Sequence, residues 1–187
     1  MKTRCHWATN QFEAYQTYHD KEWGVAVHDD KIHFEFLILE GAQAGLSWAT
    51  VLKRREGYRS AFAQFDVRKV AQFTEEKILA ILQDPGVIRN KLKVRGAVNN
   101  AKCFLEVQKE FGSFDQYIWG FVNGSPRVNH WKSMHEVPAT TKESDALSQD
   151  LKKRGFKFCG STIMYAHMQA CGLVNDHTTD CFRYSDV

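Results

Sequence analysis

The side chains able to hold a metal or exchange a proton are unevenly spread along this chain of 187 residues. Cys5 and His19 lie near one end, and His177 and Cys181 near the other. The i,i+4 spacing of the second pair puts both side chains on one face of a helical segment. Two Cys and two His form a closed tetrahedral set suited to structural Zn²⁺, and such an ion would staple the two ends of the chain together. Neither pair matches a zinc-finger pattern, so spacing alone leaves two readings open: a zinc clasp, or unrelated Cys and His residues. Five cysteines, an odd number, and a polar, aromatic stretch over residues 1–15 favour metal binding or free thiols over a disulfide framework. Cys103, Cys159 and Cys171 read as small buried hydrophobes. His6, His28, His33, His130, His135 and His167 show no ligand-like pattern and read as surface or core histidines.

Glu40 sits in the apolar run Leu37-Ile38-Leu39-Glu40-Gly41-Ala42. A carboxylate there must be paired, hydrogen-bonded or functional, and a capping acid or exposed helix edge fits as well as a reactive group. Trp7, Tyr15, Tyr18 and Trp23 cluster near the first two metal candidates; aromatics of this kind serve a core or a stacking surface. Residues 78–93 read as helix, Pro85-Gly86 turn, then helix. The second helix would open with free backbone N–H groups and its positive dipole end, which bind phosphate without reading base sequence. Arg89, Lys91, Lys93 and Arg95 add positive charge. An ordinary helix connection with a solvated basic face fits the same residues.

The elements that must position these groups are helical. Asp29-Asp30 caps a helix from Lys31 that is apolar nearly all round and therefore central, with Gly41 and Gly45 ending it or admitting a neighbouring backbone. Further helices are predicted over 47–65, 67–73, 75–83, 90–111, 113–122, 142–154 and 161–171, the last closed by Gly172. Strand alternation is scarce, so the fold class is all-α. A 43% hydrophobic content allows a real core, and the length suits one unit, residues 1–187. The net charge of +3 neither demands nor excludes nucleic acid, provided positive charge is concentrated locally. No apolar run is long enough to span a bilayer, and the expected location is cytoplasmic.

Taken in order, Cys5-His6-Trp7, residues 18–24, Leu39-Glu40-Gly41-Ala42-Gln43-Ala44-Gly45-Leu46-Ser47-Trp48, residues 86–90, 153–158 and 168–177 resemble the 3-methyladenine DNA glycosylase I family over nearly the whole chain. That resemblance implies a helix-hairpin-helix DNA glycosylase fold, its hairpin element at about 75–100, with the termini joined by one structural zinc at Cys5, His19, His177 and Cys181. It implies Glu40 as the catalytic or base-recognising carboxyl and Tyr18, Trp48, Tyr15 and Trp7 as the base pocket, with Gly86, Arg89 and Lys91 against DNA. The implied partner is double-stranded DNA containing 3-methyladenine, acted on by a monomer that cleaves the glycosidic bond without cutting the strand. A non-catalytic, zinc-stabilised module for DNA or a modified base is the alternative. One residue more than the family spacing separates Cys5 from His19, and residues 129–136 match nothing and carry no role.

Overall fold

The computed structural model describes residues 2–187, which form a mostly helical molecule. Helices α1 (Glu13–Lys21) and α2 (Asp30–Gln43) come first, followed by three short ones: α3 (Trp48–Leu52), α4 (Arg55–Ala61) and α5 (Val67–Ala71). Next are α6 (Glu75–Ile81), the long α7 (Lys91–Phe111) and α8 (Phe114–Trp119). Helices α9 (Lys142–Lys153) and α10 (Ser161–Ala170) complete the set.

Helix α2 is the axis of the core, as its apolar surface requires. Asp29 caps it by accepting from the Lys31 N–H at 2.7 Å, and every residue from His33 to Ala42 is buried. Burying side chains such as Phe34, Leu37 and Leu39 stabilises the fold by about 1.5–3 kcal/mol each. The helix runs through Gly41 and stops only at Gln43; Gly45 beyond it adopts φ +76°. The α7 helix packs across α2 through Val94, Ala97, Val98, Ala101 and Phe104.

Two expectations need correction. The helix predicted over 47–65 is broken into α3, α4 and a 3-10 turn. Ala63, Gln64 and Phe65 take positive φ there, which no continuous helix permits. All-α also overlooks β1 (Arg127–Val128) and β2 (Val174–Asn175), a two-residue parallel pair with Arg127 opposite Val174. Two paired residues leave no period-two pattern to detect, yet they pull residues 129–136 against the C-terminal segment. Asp176 is buried there and accepts from Asn129 Nδ2 at 2.7 Å, Trp131 Nε1 at 2.7 Å, Gln169 Nε2 at 2.8 Å and the Tyr165 hydroxyl. The stretch given no role is thus a strap that fixes the segment carrying His177.

Candidate active site and metal centre

Cys5, His19, His177 and Cys181 come together, all four buried, as a group that could hold a metal ion. Cys5 Sγ is 3.5 Å from His177 Nδ1; Cys181 Sγ is 3.4 Å from His177 Nδ1 and 3.5 Å from His19 Nε2. Tetrahedral zinc, with bonds of about 2.3 Å to sulfur and 2.0–2.1 Å to nitrogen, has S···N edges of about 3.6 Å, so the donor set fits. The outer ring nitrogens are already engaged: His19 Nδ1 with Asp20 Oδ1 at 2.9 Å, and His177 Nε2 with the Trp23 carbonyl at 3.0 Å. Those partners place the N–H outward and keep His19 Nε2 and His177 Nδ1 as lone-pair atoms facing the cluster, where His19 Nε2 also accepts from the Cys5 backbone N–H at 3.3 Å. Hydrogen bonding to Cys181, then burial, pushes the Cys5 thiol up, while the bond from Cys5 holds Cys181 down. A cation among the four donors would let both thiols ionise.

The clasp is packed directly onto an aromatic cavity. The Trp7 ring lies 5.0 Å from His19 and 5.0 Å from Trp23, which itself sits edge-on to His177 at 4.6 Å. On the other side of Trp7 are Tyr15 at 5.6 Å and Tyr18 at 6.4 Å, and Tyr18 continues to Trp48 at 5.3 Å. These rings and Glu40 line a cavity of about 310 Å³, within the range of small-molecule sites. The structure therefore brings Trp7, Tyr15, Tyr18, Glu40 and Trp48 to one place. It adds Gln43, Gln169 and Met134, which the sequence did not single out. Met134 arrives on the strap, and Gln169 faces inward only because α10 packs on α2.

Glu40 is 3% exposed, and burial pushes its carboxyl well above the usual range. Its one side-chain partner is His167, whose Nδ1 lies 2.9 Å from Oε2. His167 Nε2 in turn meets His33 Nδ1 at 3.3 Å. Reading these two histidines as anonymous core or surface residues missed this arrangement: no motif spacing joins positions 134 residues apart. The Trp48 indole N–H is buried and has no partner among the described residues. A second cavity of about 220 Å³ shares Glu40 and Gln43 and opens beside Leu46, which is 42% exposed.

The turn between α6 and α7 is tied to the same site. Asn90 caps α7 through Lys93 N–H, and Lys93 Nζ donates to the carbonyls of Ala42 and Ala44 at 2.8 and 2.6 Å. Lys93 therefore caps the C-terminal end of the helix that carries Glu40, and Arg95 is paired with Glu75. The four-cation patch expected from sequence shrinks to Arg89 and Lys91, both exposed. Gly86 spends its N–H on Asp84 Oδ1 at 2.7 Å, and its carbonyl faces Gly57, where an added Cβ would come within 2.3 Å. Gly86 shapes the turn, and the exposed cations beyond it that carry no ion pair among the described residues are Arg89 and Lys91.

Residues 7–184 match the family model described as methyladenine glycosylase. The chain is 50% identical over 181 residues to DNA-3-methyladenine glycosylase 1 of Escherichia coli (strain K12), covering 97% of this chain and 96% of that one. It superposes on a crystal structure of 3-methyladenine DNA glycosylase I with a TM-score of 0.93 and 48% identity, over 96% of this chain and 98% of the other. A variant of such an enzyme in complex with 3-methyladenine matches with a TM-score of 0.92 and 35% identity, over 96% of each chain. By sequence and by fold, this chain belongs to the methyladenine glycosylase family.

Proposed function

We propose that the chain is a DNA-3-methyladenine glycosylase, a hydrolase that starts base-excision repair by cutting the N-glycosidic bond of 3-methyladenine in alkylated DNA. The observation that carries this reading is the buried carboxyl of Glu40 among the aromatic walls of a base-sized cavity. The names of the relatives point the same way.

Methylation at N3 makes the adenine a cation while it is still joined to the sugar. The charged base is a good leaving group, so the protein needs to extrude and select it more than to protonate it. Trp48 and Tyr18 stack on the extruded base, with a cation–π attraction of about 0.5–2 kcal/mol that neutral adenine would not receive. Glu40 accepts from the base edge and balances its charge. Water attacks the sugar carbon, with Glu40 the carboxylate nearest that step. Among the described residues no lysine lines the cavity, which supports a monofunctional hydrolase. Arg89, Lys91 and the opening turn of α7, the second arm of a helix-hairpin-helix, hold backbone phosphates. Leu46 at the mouth is placed to enter the stack vacated by the base.

Zinc at Cys5, His19, His177 and Cys181 is structural in this reading. Four protein ligands leave no position for a metal-bound water, which argues against a zinc hydrolase. The chain acts as a single unit and a monomer on double-stranded DNA. Among the described residues no helix is long and apolar enough to cross a membrane. The deciding experiment is release of 3-methyladenine from alkylated DNA, with unmodified DNA as control. Binding without release would instead identify a non-catalytic module.

A further inference from the structure

The Glu40–His167 contact is the first link of a chain that leaves the pocket by the opposite wall. His167 Nδ1 is 2.9 Å from Glu40 Oε2, His33 Nδ1 is 3.3 Å from His167 Nε2, and His33 Nε2 is 3.5 Å from Asp115 Oδ1. Asp115 Oδ1 is also 3.0 Å from Nδ1 of His28. Both inner histidines are fully buried, Asp115 is 24% exposed and His28 is 59% exposed. The series therefore runs from the buried cavity to solvent with one open link: His33 Nε2 is near Asp115 but has no hydrogen-bond partner among the described residues.

We infer that His167 and His33 form a proton relay through which Glu40 passes its proton to Asp115, so that the pocket carboxyl turns negative when a cationic base fills the cavity. The inference rests on the pocket assignment above. Proton bookkeeping along the series permits two arrangements. In one, Glu40 is the acid and donates to His167 Nδ1, His167 Nε2–H donates to His33 Nδ1, and His33 Nε2–H faces ionised Asp115 across 3.5 Å, a link not hydrogen-bonded in the empty pocket that a small turn of the imidazole closes. In the other, three protons have each moved one link outward: Glu40 is ionised, each histidine carries its proton on Nδ1, and Asp115 holds the proton that left the pocket. No histidine gains net charge once the shift is complete, and one negative charge has moved from Asp115 to Glu40.

The surroundings favour the first arrangement in the empty pocket. Burial pushes Glu40 up and holds His33 and His167 down, to about 4 and about 3. The other titratable neighbours do not compete. Tyr18 and Cys171 are pushed well up by burial and stay neutral, although Cys171 Sγ is 3.6 Å from His167 Nε2. Asp30 is occupied by the backbone N–H groups of Phe114 and Asp115 and by Gln108. A cation in the cavity reverses the balance by stabilising the Glu40 carboxylate at close range, while a neutral base leaves it protonated. Once the base fills the cavity, its mouth no longer serves as an exit for the proton.

The test uses the fixed cation 3,9-dimethyladeninium, whose N9 carbon stands for the sugar. It is mixed with the protein at about pH 8 in dilute buffer. Tryptophan fluorescence reports binding, and an indicator dye reports proton release. The wild-type protein should release about one proton per bound cation at the rate of the fluorescence step. His33→Leu should still bind but release the proton roughly tenfold more slowly or not at all. Asp115→Asn, altered at the solvent end, should show the same lag and serves if His33→Leu fails to fold. Absence of release by the wild type, or release at the wild-type rate by a folded relay variant, overturns the relay. Unweakened cation binding by Glu40→Gln would instead overturn the pocket assignment beneath it.

Discussion

At the scale of single residues, one carboxyl and its partner dominate. Glu40 is held by His167 in a position where a buried charge needs a countercharge. Glu40→Gln keeps shape and hydrogen-bonding capacity but removes the charge. Losing a hydrogen bond to a charged group costs about 1.5–3 kcal/mol, so kcat/KM for 3-methyladenine release should fall roughly 10- to 100-fold with the thermal midpoint little changed. Unaltered excision by that variant would remove Glu40 from the mechanism. The histidine pair also sets an acid limit on stability. In the unfolded chain both histidines titrate near about 6.5, whereas burial lowers them to about 4 and about 3 in the fold. Between those values the unfolded chain binds more protons, so stability should decline as pH falls from about 6.5 toward 4. Glu40 acts in the opposite sense: raised in the fold, it stabilises most below its ordinary value and loses that contribution as pH rises through its folded value. Denaturant titrations of His33→Leu/His167→Phe should show a flatter acid limb; an identical slope would mean that other groups set it.

At the scale of elements, the turn between α6 and α7 exposes two cations, Arg89 and Lys91, which the proposed function sets against DNA phosphates. Arg89→Ala and Lys91→Ala should weaken binding to damaged and undamaged duplex alike, each lowering the slope of log K against log salt by about 1. A variant with unchanged salt dependence would show that its cation touches no phosphate. Gly57 tests the packing of the turn. A Cβ there meets the Gly86 carbonyl at 2.3 Å, and backbone cannot swing aside as a flexible side chain can. Gly57→Ala should therefore cost about 1–3 kcal/mol and reduce DNA affinity by displacing the turn, measurable by chemical denaturation and filter binding. Lys93 links the same turn to the helix that carries Glu40: its ammonium caps the last carbonyls of α2 while its own helix starts just after that turn.

At the scale of the molecule, the clasp joins the two ends of the chain and packs on the pocket through Trp7 and Trp23. Closing so long a loop removes much unfolded-state entropy, as a disulfide does. On the zinc reading proposed above, Cys5→Ala or His177→Ala should lose the metal and about 2–5 kcal/mol of stability, roughly 5–15 °C in thermal midpoint for a chain of this size. Metal analysis of the purified variants checks the ligand set, and stoichiometric zinc in either one contradicts it. Because the rings that touch the clasp also line the cavity, KM should rise in these variants even below their unfolding temperature.

The sequence by itself determined the helices with strong local signals and singled out residues that the fold gathers around one cavity and into one Cys/His group. The Asp29 cap, the unbroken apolar surface of α2 and the Cys5, His19, His177, Cys181 set are written in residue type and short spacing, and the motif blocks carried Glu40, Trp48 and Tyr18. Tertiary structure alone decided what those residues do together. Nothing local distinguishes His33 and His167 from core histidines; their meaning comes from α2 and α10 packing face to face, which sets the two rings 5.5 Å apart between Glu40 and Asp115. Nothing local tells Lys93, spent on α2, from Lys91, which faces solvent. The strap at 129–136 has no periodicity, so its bonds to Asp176 and the place of Met134 in the pocket appear only once the chain is folded. Helix propensity and capping act within a few residues and can be read along the chain, whereas a row of buried side-chain contacts, a lysine spent on a neighbouring helix and a cavity wall depend on distances between segments that only packing establishes.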